Sequence, residues 1–448
     1  MAPRKEDPAP EAPAPTENTT PGGGRFSRFA KLGTLTAGTA ARHLTQKVMS
    51  TFQNAQTAEE REKAALEKTA RQMVKTLGEL KGAAMKVGQM LTTDPELPPE
   101  MLQILSTLQS SAPAMSSEMV RRVVAEALGG KLEDHFTEFH DVPLGAASIG
   151  QVHRATTREG QAVAVKVQYP GIAETIRHDM RNLDAVMNVA RAMLPRERVD
   201  AYLEELTVVL DRESDYVQEA QHMVRYGELL RRMHGVRAPE PVVSLTRTNV
   251  LTMEFVEGVR LQDWLGTASA EAARDMGLRL LRVHVDMLYR HHLLHADPHP
   301  GNFLVDTAGN LVVLDFGCVR EYEPAFVDDM VRLLLALWRH DLDELQAAWR
   351  TLKFIDNGVD PDLVYEWFNL ILAPLVHNGE FDFRAWKVRD DVMAFVMANP
   401  RIKLFAPPRE MLFYMRVVTG LRGVLAQAGV TANLRRWARE VAELRGLV

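Results

Sequence analysis

The sequence predicts an α+β chain of two unequal lobes, a small mixed one and a larger helical one, preceded by a helical segment. Three observations lead there. Two adjacent apolar strands lie within residues 149–168, helical periodicity dominates the second half, and one short hairpin interrupts it. The chain has 448 residues, which at roughly 150 residues per unit suggests about three units and ample core. With 46% hydrophobic and 25% charged residues it is of ordinary globular composition.

The N-terminal residues 1–24 are rich in Pro, Ala, Thr and Gly, which predicts a disordered tail. Residues 25–135 read as a helical extension. Its first part holds no acidic residue from Asn18 to Ala58 and carries Arg25, Arg28, Lys31, Arg42 and Lys47 beside Phe26, Phe29 and Phe52. Such a segment either covers the body of the protein or rests on an anionic membrane surface. From 59 to 92 a long helix is interrupted by Gly78, Gly82 and Gly88, as if another backbone approached it. A further helical stretch runs to about Leu128 and is closed by Gly129-Gly130.

Residues 136–256 form the small lobe. Strands are expected at Ile149–Ala155 and Ala162–Gln168, joined by a turn at Arg158-Glu-Gly160, then helix from about Arg181 to Met233, then a strand at Val250–Val256 ended by Gly258. Residues 257–448 form the helical lobe, with a hairpin in which Phe303–Val305 and Leu311–Leu314 flank Asp306–Asn310.

Composition also excludes function classes. Lys plus Arg number 53 against 59 Asp plus Glu, a net charge of −6, which argues against a nucleic-acid partner. The one cysteine, Cys318, cannot form an intramolecular disulfide or an all-cysteine metal site, and it suits a reducing compartment. Apolar runs such as Leu333–Trp338 and Leu370–Val376 are far shorter than a spanning helix, and the N-terminus lacks a signal-peptide core. The expectation is a cytoplasmic protein, at most peripheral on the inner face of a membrane.

The chemistry is concentrated in His295-Ala-Asp-Pro-His-Pro-Gly-Asn302 and Asp315-Phe-Gly317. Pro298 and Pro300 exclude a helix or central strand, so Asp297 and Asn302 lie on a rigid loop. Histidine-x-aspartate, an asparagine five residues on, and an Asp-Phe-Gly triplet across a hairpin are the parts phosphoryl transfer needs. Asp297 would orient the nucleophile, while Asn302 and Asp315 would hold Mg²⁺ (or Mn²⁺). Ordinary turn chemistry explains any one of these residues but not their convergence. Upstream, Ala162-Val-Ala-Val-Lys166 matches the strand lysine that pairs with nucleotide phosphates and a helix glutamate. Glu213-Ser-Asp-Tyr-Val-Gln-Glu219 offers three acids for that pairing, and the spacing puts Asp215 and Glu219 on one helical face, with Lys86 and Lys166 as candidate counter-ions. A solvated acidic face is the rival reading. The loop before the lysine strand is Gly145-Ala-Ala-Ser-Ile-Gly150, whose alanines narrow its backbone freedom, so a nucleotide should be gripped differently from an ordinary kinase. Met253, Glu254 and Val256 would line an adenine cleft. The histidines 284, 291, 292, 295 and 299 cluster without cysteine support for zinc.

With those motifs in hand, the chain resembles the UbiB/AarF family of atypical kinase-like proteins over roughly residues 60–430. The matching motifs are Lys86-Val-Gly-Gln89, the loop Gly145, Ala146, Ala147, Ser148, the triad Glu213-Ser-Asp215, and the His295–Asn302 and Asp315-Phe-Gly segments. The resemblance implies a protein-kinase-like bilobal fold, ATP with Mg²⁺, and support of coenzyme Q or related isoprenoid-lipid metabolism, hence a quinone-like lipid partner. It also implies that Lys86 and Gln89 lie over the active site, that Lys86 faces Glu213 and Asp215, and that Glu219 pairs with Lys166. The first loop position is glycine here, at Gly145, and no Ala-Pro-Glu follows Asp315. The expected activity is slow Mg²⁺-dependent ATP hydrolysis or transfer to a non-protein acceptor. The alternatives are a Ser/Thr protein kinase and a catalytically idle, nucleotide-responsive lipid-handling scaffold.

Overall fold

The computed structural model describes residues 115–147, 149–176, 200, 203, 204, 207, 208, 210 and 214–448. The tail, the basic segment, Lys86, Gln89, Ser148 and Glu213 lie outside the described residues.

The small lobe is built on a five-stranded antiparallel sheet. Phe136–Phe139, Gly150–Thr157, Ala162–Gln168 and Val250–Glu254 lie side by side in that order, and Gly145–Ala147 adds to the free end of the second. The strand alternation explains two differently covered faces. Val163, Val165, Val167 and Val250 pack with Val120, Val123 and Val124 of the Ser117–Leu128 helix. Ala164, Leu251 and Met253 belong instead to the large core shared with the helical lobe. Ser116 caps the Ser117–Leu128 helix by accepting from the Met119 N–H, and Gly129 ends it at φ +78°. Residues 120–132, assigned to the extension by sequence, therefore share the small-lobe core, because the sheet's valine face needs their apolar stripe.

Beyond the sheet the chain is richer in strand than its pattern suggests. Gly258 does not merely end a strand. It opens a new one, Gly258–Arg260, which pairs with Phe303–Asp306 in a four-stranded sheet completed by Leu311–Val313 and Val236–Arg237. A Cβ at Gly258 would lie 2.3 Å from the Val305 carbonyl oxygen, so only glycine permits this pairing. Leu293–His295 likewise pairs with Val319–Glu321. Three-residue strands are too short to carry a readable period. Two more pairs of two-residue strands, Ile355–Asp356 with Phe405–Ala406 and Phe381–Asp382 with Thr431–Ala432, are also unexpected. Otherwise the lobe is helical, organised around Ala270–His291, Pro324–Arg339 and Arg409–Gln427.

Gly150 is also held by packing. A Cβ there would meet the Val167 carbonyl oxygen at 2.1 Å, across the first pair of the strand ladder. Gly150→Ala is expected to destabilise the small lobe by about 1–3 kcal/mol, the range for overpacking a filled site. Thermal unfolding would show this as a melting temperature several degrees lower; an unchanged one would mean that the two strands can part here freely.

Candidate active site

Lys166, on the Ala162–Gln168 strand, reaches two carboxylates at once. Its Nζ lies 2.9 and 3.1 Å from the Glu219 oxygens and 2.9 Å from Asp315 Oδ2. Glu219 comes from the Tyr216–Leu230 helix and Asp315 from just beyond the Leu311–Val313 strand. Lys166 and Glu219 are buried, with 8% and 2% of their surface exposed, while the Asp315 side chain keeps 29%. The Tyr216 ring lies 5.0 Å from the ammonium and adds a cation–π contact.

Asp215 takes a different place from the one its spacing predicts. The helix starts at Tyr216, and Asp215 is its N-cap in extended conformation, accepting from the Val217 N–H at 2.9 Å. An aspartate at this position satisfies a helix donor and so sits off the face that carries Glu219. Glu219 therefore meets Lys166 without a stacked acid beside it.

Burial by itself would favour a neutral amine at Lys166, but the charges of Asp315 and Glu219 outweigh it and hold its pKa well above the usual lysine value. Glu219 moves the other way. Burial, aided by the Asp315 charge and opposed by Lys166, pushes its carboxyl up to about 7. Among the described residues, one ammonium thus faces two carboxyl groups, those of Glu219 and Asp315.

The loop residues are fixed from behind. His295 is buried, and its Nε2 lies 2.7 Å from the Asp315 carbonyl oxygen, so this nitrogen carries the proton and donates. Phe316 is fully buried, with its ring centroid 5.4 Å from Tyr226 and 6.0 Å from His295, and its N–H donates to Glu219 at 3.3 Å. The Gly317 N–H donates to Asp315 Oδ1 at 3.0 Å. Asn302 ends a single turn, Pro300–Asn302, capped by His299, and its Nδ2 donates to the Asp297 carbonyl at 3.2 Å. That orientation leaves the Asn302 Oδ1 as an acceptor. Asp315 and Asn302 thus offer hard oxygen donors, one of them anionic, which suits Mg²⁺ completed by substrate phosphates and water. Among the described residues no group of three or more His, Cys, Asp or Glu is arranged as a metal cage.

Two residues of the site carry no sequence signal. Arg416, from the Arg409–Gln427 helix, places Nη2 3.2 Å from Asp297 Oδ1, and both side chains are buried. They are 119 positions apart, and a lone arginine on an amphipathic helix belongs to no motif. Arg260 is the other. Its Nη2 lies 3.0 Å from where a Cβ of residue 145 would stand. Gly145 thus makes room for an arginine at the cleft mouth, which gives a physical reason for the glycine there. Ala146 is exposed and Ala147 half-buried on the same short strand. Met253 is buried opposite Ala164, and Val256 is nearly so. The Glu254 carboxylate is occupied by Arg237 Nη1 at 3.0 Å, and Arg237 also binds Asp306. Glu254 therefore braces the lobe connection with its side chain, which leaves only its backbone to face a nucleotide. Cys318 is buried in the large core.

Residues 107–348 match the ABC1 atypical kinase-like domain. The chain is 30% identical to the Rattus norvegicus protein named Atypical kinase COQ8B, mitochondrial, over 88% of this chain and 76% of the rat protein. It is 29% identical to Atypical kinase coq-8, mitochondrial, of Caenorhabditis elegans, over 84% of this chain and 51% of that protein. For the Arabidopsis thaliana protein ACTIVITY OF BC1 COMPLEX KINASE 7, chloroplastic, the identity is 29%, covering 82% and 53%. The chain thus spans from about half to three quarters of the length of these relatives. Among solved structures, the Rv3197–erythromycin complex from Mycobacterium tuberculosis has a TM-score of 0.60 at 28% identity, covering 86% of this chain and 97% of that one. The fold is accordingly the bilobal, kinase-like α+β arrangement.

The Glu219 shift has a measurable consequence. A carboxyl raised in the folded state contributes stability that is complete below its unfolded value and is lost as pH rises through about 7. The melting temperature of the wild type minus that of Glu219→Gln should therefore be larger near about pH 5 than near about pH 8. A difference that stays flat across this range would mean that Glu219 titrates as an ordinary carboxylate.

Proposed function

The chain belongs to the ABC1 (UbiB/AarF) atypical kinase-like family, and from that premise we propose that it binds ATP with Mg²⁺ and hydrolyses it slowly or transfers its phosphoryl group to a non-protein acceptor. The observation that carries this reading is the buried contact of Lys166 with both Glu219 and Asp315. A lysine held on a strand by a helix glutamate, beside the Asp-Phe-Gly aspartate, is the device that positions nucleotide phosphates in kinases. Lys166 would turn its charge to the α- and β-phosphates, with Glu219 fixing its reach. Asn302 and Asp315 would hold Mg²⁺, which when bound offsets the charge of the phosphates. Asp297, held on its rigid loop, would orient the attacking hydroxyl or water. Gly145, Ala146, Ala147 and Ser148 would lie over the phosphates, and Met253 and Val256 beside the base. The extension bearing Lys86 and Gln89, with Glu213 and Asp215 as its partners, would close over the site.

A protein substrate is disfavoured by a specific feature. After Gly317 the chain immediately forms the Val319–Glu321 strand, paired to Leu293–His295, and enters the Pro324–Arg339 helix. Between Gly317 and Pro324 the described residues therefore leave no extended activation segment against which a peptide could dock. The acceptor is better sought among isoprenoid lipids, in support of ubiquinone or related quinone metabolism, as family membership suggests. No helix among the described residues is long and apolar enough to cross a membrane. Contact with an anionic membrane surface would fall to the basic segment at 25–52, on a protein of the cytoplasmic side.

Asp315→Asn tests the reading directly. It keeps the shape and removes the anionic metal ligand, so Mg-ATP affinity should fall at least about tenfold, ~1.4 kcal/mol. ATP turnover should fall with it, measured with and without anionic liposomes carrying a quinone-precursor mimic. If Mg-ATP raises the melting temperature of the variant as much as that of the wild type, Asp315 does not hold the metal.

A further inference from the structure

The catalytic loop has no strong cation of its own. Between His295 and Asn302 only histidines could carry positive charge. His295 donates to the Asp315 carbonyl, and the His299 Nδ1 accepts from the Gly301 N–H, so both rings are engaged in shaping the loop. Among the described residues, Arg416 brings a cation to Asp297 from far downstream, on the Arg409–Gln427 helix.

That helix is fitted to the loop at one face. Gly420 lies one turn beyond Arg416, and a Cβ there would stand 2.7 Å from Pro298 Cγ. The glycine lets the helix backbone close onto the residue next to Asp297, while Arg416 reaches Asp297 itself. The guanidinium is buried with 8% of its surface exposed, and among the described residues its Nε and Nη1 have no hydrogen-bond partner. Burying an arginine with two nitrogens unpaired is unfavourable, and an apolar side chain would pack the same space better. Packing therefore does not account for Arg416, whereas its one strong contact, to the loop carboxylate, does.

We propose that Arg416 is a positioning residue for Asp297. It holds the carboxylate in one orientation toward the attacking hydroxyl or water, and its fixed charge offsets part of the negative charge gathered at Asp297, Asp315 and the polyphosphate. The inference rests on the reading of Asp297 in the proposed function. Arg416 does not touch the nucleotide in this scheme, so its loss falls on turnover and spares ATP binding.

The test uses the full chain and steady-state ATP hydrolysis. Arg416→Gln should lower kcat about 10- to 100-fold with KM for ATP within about twofold of wild type, as misplacing a reactive group does. Arg416→Lys should recover part of the loss, and added guanidinium should restore part of kcat to Arg416→Ala. Asp297→Asn serves as the control. If Asp297→Asn is inactive while a folded Arg416→Gln keeps wild-type kcat, the positioning role is overturned and the reading of Asp297 stands. Wild-type turnover in Asp297→Asn overturns the reading of Asp297, and the role of Arg416 with it. Should Arg416→Gln not fold, the apolar Arg416→Met decides, because wild-type kcat in a folded variant without the cation overturns the proposal. An equal loss in kcat and ATP affinity would likewise overturn the proposal, since it would mark general disruption of the cleft.

Discussion

One ammonium group shared by a buried carboxylate and a half-buried one constrains the whole site. Lys166 is drawn from the small-lobe sheet, Glu219 from the helix behind it and Asp315 from the helical lobe. All three elements contribute to one apolar core, and within it the charges cannot be left alone in a low dielectric, so they must meet. The valine face of the sheet is turned away, onto the Ser117–Leu128 helix, so that the lysine face is free to meet the helical lobe. Burial, with the Asp315 charge adding to it, raises the Glu219 carboxyl, while Asp315 keeps part of its surface open to receive a cation with its phosphates.

The loop residues are positioned by a second, largely apolar mechanism. Phe316, His295, Tyr226 and Phe303 pack behind the Asp-Phe-Gly turn, with His295 edge to face against Tyr226 and Phe316 and the other two ring pairs tilted. Backbone hydrogen bonds from Ala296 to Cys318 and from Leu314 to Asn302 then lock the two loops together. The polar chemistry thus sits on a wall that resists deformation, since close-packed rings have few alternative arrangements. Arg416 and Gly420 add a third support from the far end of the chain, where a helix closes on the loop through a glycine and an ion pair.

Much of this was legible in the residues themselves. The loop prolines, the spacing of Asp297, Asn302 and Asp315, and the alternation around Lys166 each impose a local conformation, so they could be read without a fold. The Lys166–Glu219 pairing followed from the family resemblance alone, since the spacing left Glu213, Asp215 and Glu219 all open as partners. The readings that changed concern context. Asp215 looks like a helix-face acid by spacing, yet the chain is still extended there, and it caps the helix instead. Glu254 looks like part of a cleft, but Arg237 lies within reach only after two sheets have formed. Short strands such as Gly258–Arg260 and Leu293–His295 escaped because three residues carry no period.

By itself, then, the sequence determined the α+β class, the catalytic loop and the lysine strand, because these follow from local geometry and short spacing, while the two-lobed arrangement came from the family resemblance. Only the tertiary structure decided which charges meet. The Asp297–Arg416 pair spans 119 positions and the Gly145–Arg260 fit joins separate elements. Such contacts exist because folding desolvates groups that are strangers along the chain, and a buried charge must then find a partner wherever the packing brings one.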